Sequence, residues 1–191
     1  VPRSRLTRLA RRLAAPALAC AALLALPAGA SAAETACANA DLQPTAATVG
    51  AVREAVLCMH NELRAEEGLP RLRENARLES AAERHSSNMV ARRFFDHTTP
   101  AGVTMTDRIE RSRYLRRGDI WTIGENLAWG SGMRSTPREV VAAWMASKGH
   151  RANVLRRSFR EIGIGIEIGT PVELGPAVSG ATYTADFGVR R

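Results

Sequence analysis

Lysine is almost missing from these 191 residues: Lys148 stands alone against 26 arginines. With the abundant alanine, this points to GC-rich coding and says nothing about function. Also missing is an unbroken apolar run of the roughly 20 residues that a membrane-spanning helix requires. The nearest approach, residues 13–28, is interrupted by Pro16 and Pro27. There is no C-x-x-C pair, no H-E-x-x-H helix and no G-x-S-x-G elbow. Dithiol redox chemistry, zinc-helix proteolysis and elbow-type hydrolysis therefore lack their usual signatures. No internal repeat or low-complexity segment follows residue 33. The composition, 45% hydrophobic and 24% charged, excludes wholesale disorder, collagen and a coiled-coil rod. The length suits one domain, whose core needs no staple to be stable.

The formal charge of +8 invites a polyanionic partner, but its distribution argues otherwise. Residues 1–12 carry Arg3, Arg5, Arg8, Arg11 and Arg12 and no acid. A Leu/Ala-rich run follows, and then Ala30-Ser31-Ala32. This is the three-part layout of a cleavable export signal over residues 1–32. Arg11-Arg12-Leu13 leaves general secretion and twin-arginine export both open. Without this segment 159 residues remain, at +3, so no nucleic-acid partner is expected and no transmembrane segment survives processing. Cys20 leaves with the leader, and Cys37 and Cys58 remain. In an oxidising compartment they read as one disulfide. It would tether a tail, residues 33–48, to a domain spanning 49–191. The loop-entropy model gives it roughly 3 kcal/mol.

Periodicity predicts the elements. Val52, Val56, Met59 and Leu63 mark a helix face that ends at Gly68. Leu78, Ala82, His85 and Met89 mark a second helix, with Asn75 as N-cap. Thr104-x-x-Asp107 caps a short third helix reaching about Tyr114, with Met105 and Ile109 inward. Residues 116–133 read as mostly loop with one short strand. Thr136-Pro137-Arg138-Glu139 reads as a capping box with proline at the first helical position. Val140, Trp144 and Ser147 share that helix's inner face, and Gly149 is expected to end it. Ile162, Ile164, Ile166 and Ile168 alternate, as do Tyr183, Ala185 and Phe187, which predicts an antiparallel hairpin. Gly163 and Gly165 leave the opposite face bare, so a helix can approach it closely.

Four histidines are available for chemistry. His85 lies on an apolar helix stripe and reads as a core residue. His60, with Arg64 one turn later, reads as part of a structural polar network. His97 and His150 lie past predicted elements, where polar side chains can face a cleft. Glu125 sits in a glycine-rich segment, and Ser147 precedes His150 by one turn. Spacing alone does not assemble these four into one site.

Motif order adds what spacing lacks. His60-Asn61-Glu62-Leu63-Arg64, Phe95-Asp96-His97, Gly124-Glu125-Asn126-Leu127, Gly149-His150-Arg151 with Asn153-Val154-Leu155, Ile162-Gly163-Ile164-Gly165, and Tyr183-Thr184 with Phe187-Gly188 occur in that order. This series resembles the bacterial branch of the CAP superfamily, the SCP domain of cysteine-rich secretory, antigen five and pathogenesis-related proteins. The resemblance covers about residues 50–188 and implies an α+β fold, a three-layer α–β–α sandwich with a small antiparallel sheet. It implies a cleft holding His97, His150 and Glu125, with Ser147 where a second acid is expected after Trp144. His60, Asn61, Arg64, Asn126 and Trp144 fall on its structural motifs.

Three functions then compete. A secreted, extracellular binding module would hold Zn²⁺ or another divalent metal through His97 and His150, with Glu125 orienting a histidine or a water. Its ligand would be a lipid or a peptide. A hydrolase would use Glu125 as base on a metal-activated water, or Ser147 with His150 and Glu125. An interaction scaffold would contact the anionic cell envelope through Arg111, Arg113, Arg116 and Arg117, although basic residues also suit a helix C-terminus.

Overall fold

The computed structural model describes residues 37–175 and 179–191. The export signal assigned to residues 1–32, and residues 33–36 of the tail, lie outside the described residues. Cys37 and Cys58 are joined as a disulfide, with Cα atoms 5.7 Å apart.

Helix α1 (Val49–Glu66) buries Val52, Val56, His60 and Arg64 along one stripe. The chain turns at Gly68, whose φ of +60° suits a residue without a side chain. A two-residue strand, β1 (Arg73–Glu74), leads into α2 (Ala76–Arg92). Asn75 caps α2 by accepting from the backbone N–H groups of Arg77 and Leu78. Thr104 and Asp107 form the expected reciprocal box at α3 (Met105–Arg111). Then come β2 (Trp121–Ser131), a 3-10 turn (Gly132–Ser135), α4 (Pro137–Ala146), α5 (Lys148–Val154), β3 (Glu161–Ile168) and β4 (Gly180–Arg190).

The strands form one sheet in the order β1-β3-β4-β2. Both β2 and β3 run antiparallel to β4. The isoleucine face of β3 joins Tyr183, Ala185 and Phe187 in a core with α1, α4 and α5. The opposite face takes α2. A Cβ atom on Gly163 would fall on the backbone of Leu78 and Glu79, and one on Gly165 on that of Ala82 and Glu83. The bare glycines thus let α2 seat its own backbone against the sheet, which completes the three layers.

Several expectations need correction. Residues 116–133 are not mostly loop, because β2 runs for 11 residues. Its positions facing the isoleucine core include Gly124, Asn126 and Gly130, so no apolar alternation marks it. Glu125 therefore projects from a rigid strand. The box at Thr136 does not form: its Oγ1 donates to the Met133 carbonyl, and only Pro137 at the first helical position acts as predicted. Helix α4 ends at Ala146, where Ser147 is extended (φ −92°, ψ 123°), and α5 starts at once. Gly149 and His150 thus lie inside α5 rather than at a helix end and in a loop. Helix α3 stops at Arg111, short of Tyr114. The sheet is mixed, since β1 pairs with β3 in parallel.

Replacing Gly165 with valine should cost about 3 kcal/mol or more through overpacking. A denaturant melt reads this as a lower midpoint. An unchanged midpoint would contradict the close seating of α2.

Candidate functional site

The site begins with a carboxylate in an unusual place. Glu125 lies midway along β2 on the face that α2 and α3 cover, and its side chain is 1% exposed. A buried carboxylate needs cations or donors, and Glu125 has both. Its Oε2 accepts from Arg108 of α3 at 2.5 Å, and its Oε1 accepts from His97 Nδ1 at 2.7 Å. Burial alone would raise the carboxyl's pKa. The His97 bond and the Arg108 charge outweigh that and hold it below the usual carboxylate range.

His97 follows α2 in a loop tied down at several points. Arg93 ends the helix in the left-handed region, φ +53°. The Asp96 carbonyl accepts from His85 Nε2 at 2.9 Å, the Asp96 side chain accepts from the Thr98 N–H at 2.8 Å, and the His97 carbonyl accepts from Arg108 Nη1 at 2.9 Å. The imidazole itself remains half exposed. The Glu125 hydrogen bond raises its pKa above the ordinary histidine value, against an opposing pull from partial burial. When His97 is neutral, Nδ1 must carry the proton to keep that bond. Nε2 then presents a free lone pair.

His150 is brought to the same end of the sheet by an asparagine pair. Asn126 Nδ2 donates to the His150 carbonyl at 3.0 Å, and Asn153 Nδ2 donates to the Glu125 carbonyl at 3.1 Å and to Asn126 Oδ1 at 2.9 Å. Gly124 allows this approach, because a Cβ there would sit 2.9 Å from Asn153 Oδ1. Partial burial first, and then the neighbouring His97 charge, lower the pKa of His150. His150 is thus kept neutral while His97 is kept protonated to higher pH.

The predicted residues divide in two. His97 and Glu125 are bonded, and His150 lies near His97. These three do not form a closed cage: among the described residues only Cys37, Cys58 and Glu62 bring three donor atoms within 4.8 Å of one another. The two sulfurs of that group are already bonded to each other. Ser147 sits at the break between α4 and α5, and its hydroxyl makes no hydrogen bond to His150 or Glu125 among the described residues.

His60, Asn61, Arg64 and Trp144 belong to the scaffold. His60 is wholly buried, its Nδ1 donates to the Val56 carbonyl, and burial pulls its pKa down to about 4. Asn61 exchanges two bonds with the backbone of Leu72. Arg64 donates to the carbonyls of Pro70, Val154, Arg156 and Phe159. Trp144 Nε1 donates to the Leu127 carbonyl at 2.9 Å.

Three residues of the site were not foreseen. Arg108 gave no sequence signal, since nothing in its spacing distinguishes it from the other arginines. His85, read as core, also anchors the His97 loop. Burial lowers its pKa, so the neutral ring donates from Nε2 and leaves Nδ1 without a partner. Asp186 of β4 stands directly opposite Glu125 in register. It is fully buried, and neither carboxyl oxygen accepts a hydrogen bond among the described residues, which leaves the protonated acid to donate toward Glu125. Burial and the adjacent Glu125 charge push its pKa well above the usual value, so it is protonated at neutral pH. A signal for it existed: an acid alternating with Tyr183, Ala185 and Phe187 has to lie on the glycine face.

Comparison with known proteins bears on the family and the fold. The model of the cysteine-rich secretory protein family, CAP, matches residues 57–173. The uncharacterized protein YkwD of Bacillus subtilis is 35% identical over 118 residues, which is 62% of this chain and 43% of that protein. The uncharacterized membrane protein YlbC of the same species is 26% identical over 112 residues, 59% of this chain and 30% of its own length. The chain thus spans less than half of either relative. Among solved structures, an extracellular SCP-domain protein from Bacillus anthracis is similar with a TM-score of 0.58 and 25% identity, over 72% of this chain and 40% of that one. An outer surface protein from Borrelia burgdorferi shares the fold, with a TM-score of 0.56 and 24% identity over 71% of this chain and 90% of its own.

The His97–Glu125 pair has a defined pH window. A raised histidine pKa stabilises fully below the unfolded value, about 6.5, and that stability is lost as pH rises through the folded value. The lowered Glu125 pKa stabilises above the unfolded carboxylate value and fails on acidification. The pair is therefore strongest between those limits. Solvent at the half-exposed ring weakens it. An NMR titration should find His97 titrating above about 6.5, and Glu125→Gln should bring it down. A wild-type value at or below the ordinary one would contradict the pairing.

Proposed function

The chain belongs to the cysteine-rich secretory protein family, CAP, and from that premise we propose that it is an exported binding module with a cleft for a divalent metal. His97 and His150 would hold the ion, and Glu125 would orient His97. The observation that carries this reading is the bond from His97 Nδ1 to Glu125. It commits Nδ1 and leaves Nε2 as the ligand atom, the usual relation of a metal-binding histidine to its supporting carboxylate. His150, neutral because its pKa is lowered, has a lone pair available without first losing a proton. With two imidazoles and, among the described residues, no third donor grouped with them, such a site would keep open positions. The metal would act there as a Lewis acid toward an oxygen-bearing ligand, a lipid or a peptide.

Export is supported by the leader-like residues 1–32, the disulfide between Cys37 and Cys58 and the extracellular SCP-domain protein to which the chain is similar. Among the described residues no helix is long and apolar enough to cross a membrane. Hydrolysis has less support. The Ser147 hydroxyl has no hydrogen bond to a base among the described residues, and both oxygens of Glu125 already accept from donors, His97 Nδ1 and Arg108, which disfavours a role as free base.

Calorimetric titration of the purified protein with Zn²⁺ tests the proposal. His97→Ala and His150→Ala should each abolish saturable binding. Glu125→Gln should weaken it by roughly 10–100-fold, as loss of a supporting partner does. Equal binding by all four proteins would reject the cleft as the metal site.

A further inference from the structure

A second site lies between α2 and α3, lined by residues that no motif singles out. It is a pocket of about 270 Å³ whose lining includes Arg84, Asn88 and Arg92 of α2, Arg108 and Arg111 of α3, and Thr99. Arg84, Asn88 and Arg92 share one helix face by their spacing of four, and Arg108 and Arg111 share another by their spacing of three. No Asp or Glu lines the pocket. Asp107, at the start of α3, is occupied by both the backbone and the hydroxyl of Thr104.

Four guanidinium groups around one small concavity repel each other unless an anion joins them. Surface arginines are ordinarily relieved by neighbouring carboxylates; here Arg108 has that relief from Glu125, and Arg84, Arg92 and Arg111 have none among the described residues. Among the described residues, the guanidinium groups of Arg92 and Arg111 make no hydrogen bond and no ion pair, and Arg84 bonds only the Ser80 hydroxyl, at 2.7 Å. Arg108 adds an independent observation. It is 5% exposed, it lines the pocket, and its Nε is buried without a partner. That Nε is out of reach of solvent and the Nη groups are held by Glu125 and by the His97 and Val103 carbonyls, so Arg108 gives the pocket wall a fixed positive charge while Arg84, Arg92 and Arg111 offer the free donors.

We propose that this pocket is an anion-binding site for a phosphate or phosphate-monoester group. The guanidinium fork pairs with phosphate oxygens two at a time. A cleft lined by one sign of charge concentrates its counter-ion. The Asn88 amide and the Thr99 hydroxyl supply neutral donors to the remaining oxygens. The volume admits one such group with part of what it is attached to. The site is separate from the metal cleft, but it shares Arg108, which also holds Glu125.

Calorimetric titration of the full chain with inorganic phosphate at low salt tests the pocket. Saturable binding is expected, weakening as salt is added. Arg84→Gln, Arg92→Gln and Arg111→Gln should each weaken it roughly tenfold, the loss typical of one charge-assisted hydrogen bond. Arg134→Gln, on an exposed turn remote in sequence, is the control and should leave it unchanged. A second arm identifies the source of the group, using phosphatidylcholine vesicles with and without phosphatidic acid. Capture only by the phosphatidic acid vesicles, lost in the same three variants, assigns the site to a lipid headgroup. Phosphate binding without capture assigns it to a free or soluble phosphate. Absence of saturable phosphate binding, or equal binding by all four variants, overturns the proposal. Vesicle capture without phosphate binding also overturns it, in favour of diffuse surface charge.

Discussion

Glu125 is a carboxylate that the fold places almost wholly out of water, and much of the surrounding architecture follows from its need for positive partners. Burying an isolated carboxylate costs several kcal/mol even after relaxation. Arg108 and His97 together offset that cost. The consequence runs in both directions. Glu125 keeps its charge because two cations hold it, and Arg108 and His97 keep their positions because Glu125 is rigid. Arg108 extends the effect by holding the His97 backbone as well. Asp186 lies opposite Glu125 and remains neutral, through its own burial first and then the adjacent charge.

The second half of the site depends on backbone approach more than on charge. Helix α5 carries His150, and its position is set at both ends. Asn126 bonds the His150 carbonyl in its first turn, and Asn153 ties its last turn to the Glu125 carbonyl and Asn126 of β2. Arg64 donates to the carbonyls of Val154 and Arg156 at its far end, where a cation also suits the helix dipole. The same side chains protect the outer edge of β2. Glu125 and Leu127 would otherwise offer bare carbonyls, and Asn153 and Trp144 satisfy them. An 11-residue edge strand is a liability for unwanted pairing, and here its edge is occupied by the elements that build the cleft.

The sequence was most informative where one physical cause acts locally. Asn75 and the pair Thr104/Asp107 cap helices because their side chains reach donors within three residues. Gly163 and Gly165 announced a close helix because a strand face without side chains can accept a backbone. Cys37 and Cys58, read as a pair, are bonded. The sequence misled where the cause is distant. The length of β2 was underestimated, one short strand being expected, because its core-facing positions include Gly124, Asn126 and Gly130, which serve approach to α5 and the following turn rather than apolarity. The break at Ser147 is tertiary as well, so His150 was assigned to a loop and lies in α5. Arg108 was invisible, since its role exists only once α3 docks beside β2. The family resemblance brought His97, Glu125 and His150 together as candidates, while the unequal tuning of the two histidines came only with the three-dimensional arrangement.

The central claim is that Glu125 fixes the tautomer of His97. Nitrogen-15 NMR of the imidazole ring, recorded above the pH at which His97 loses its proton, tests this directly. The account predicts a proton on Nδ1 and a bare Nε2, the reverse of the tautomer that free histidine prefers. A neutral His97 with its proton on Nε2 would contradict it.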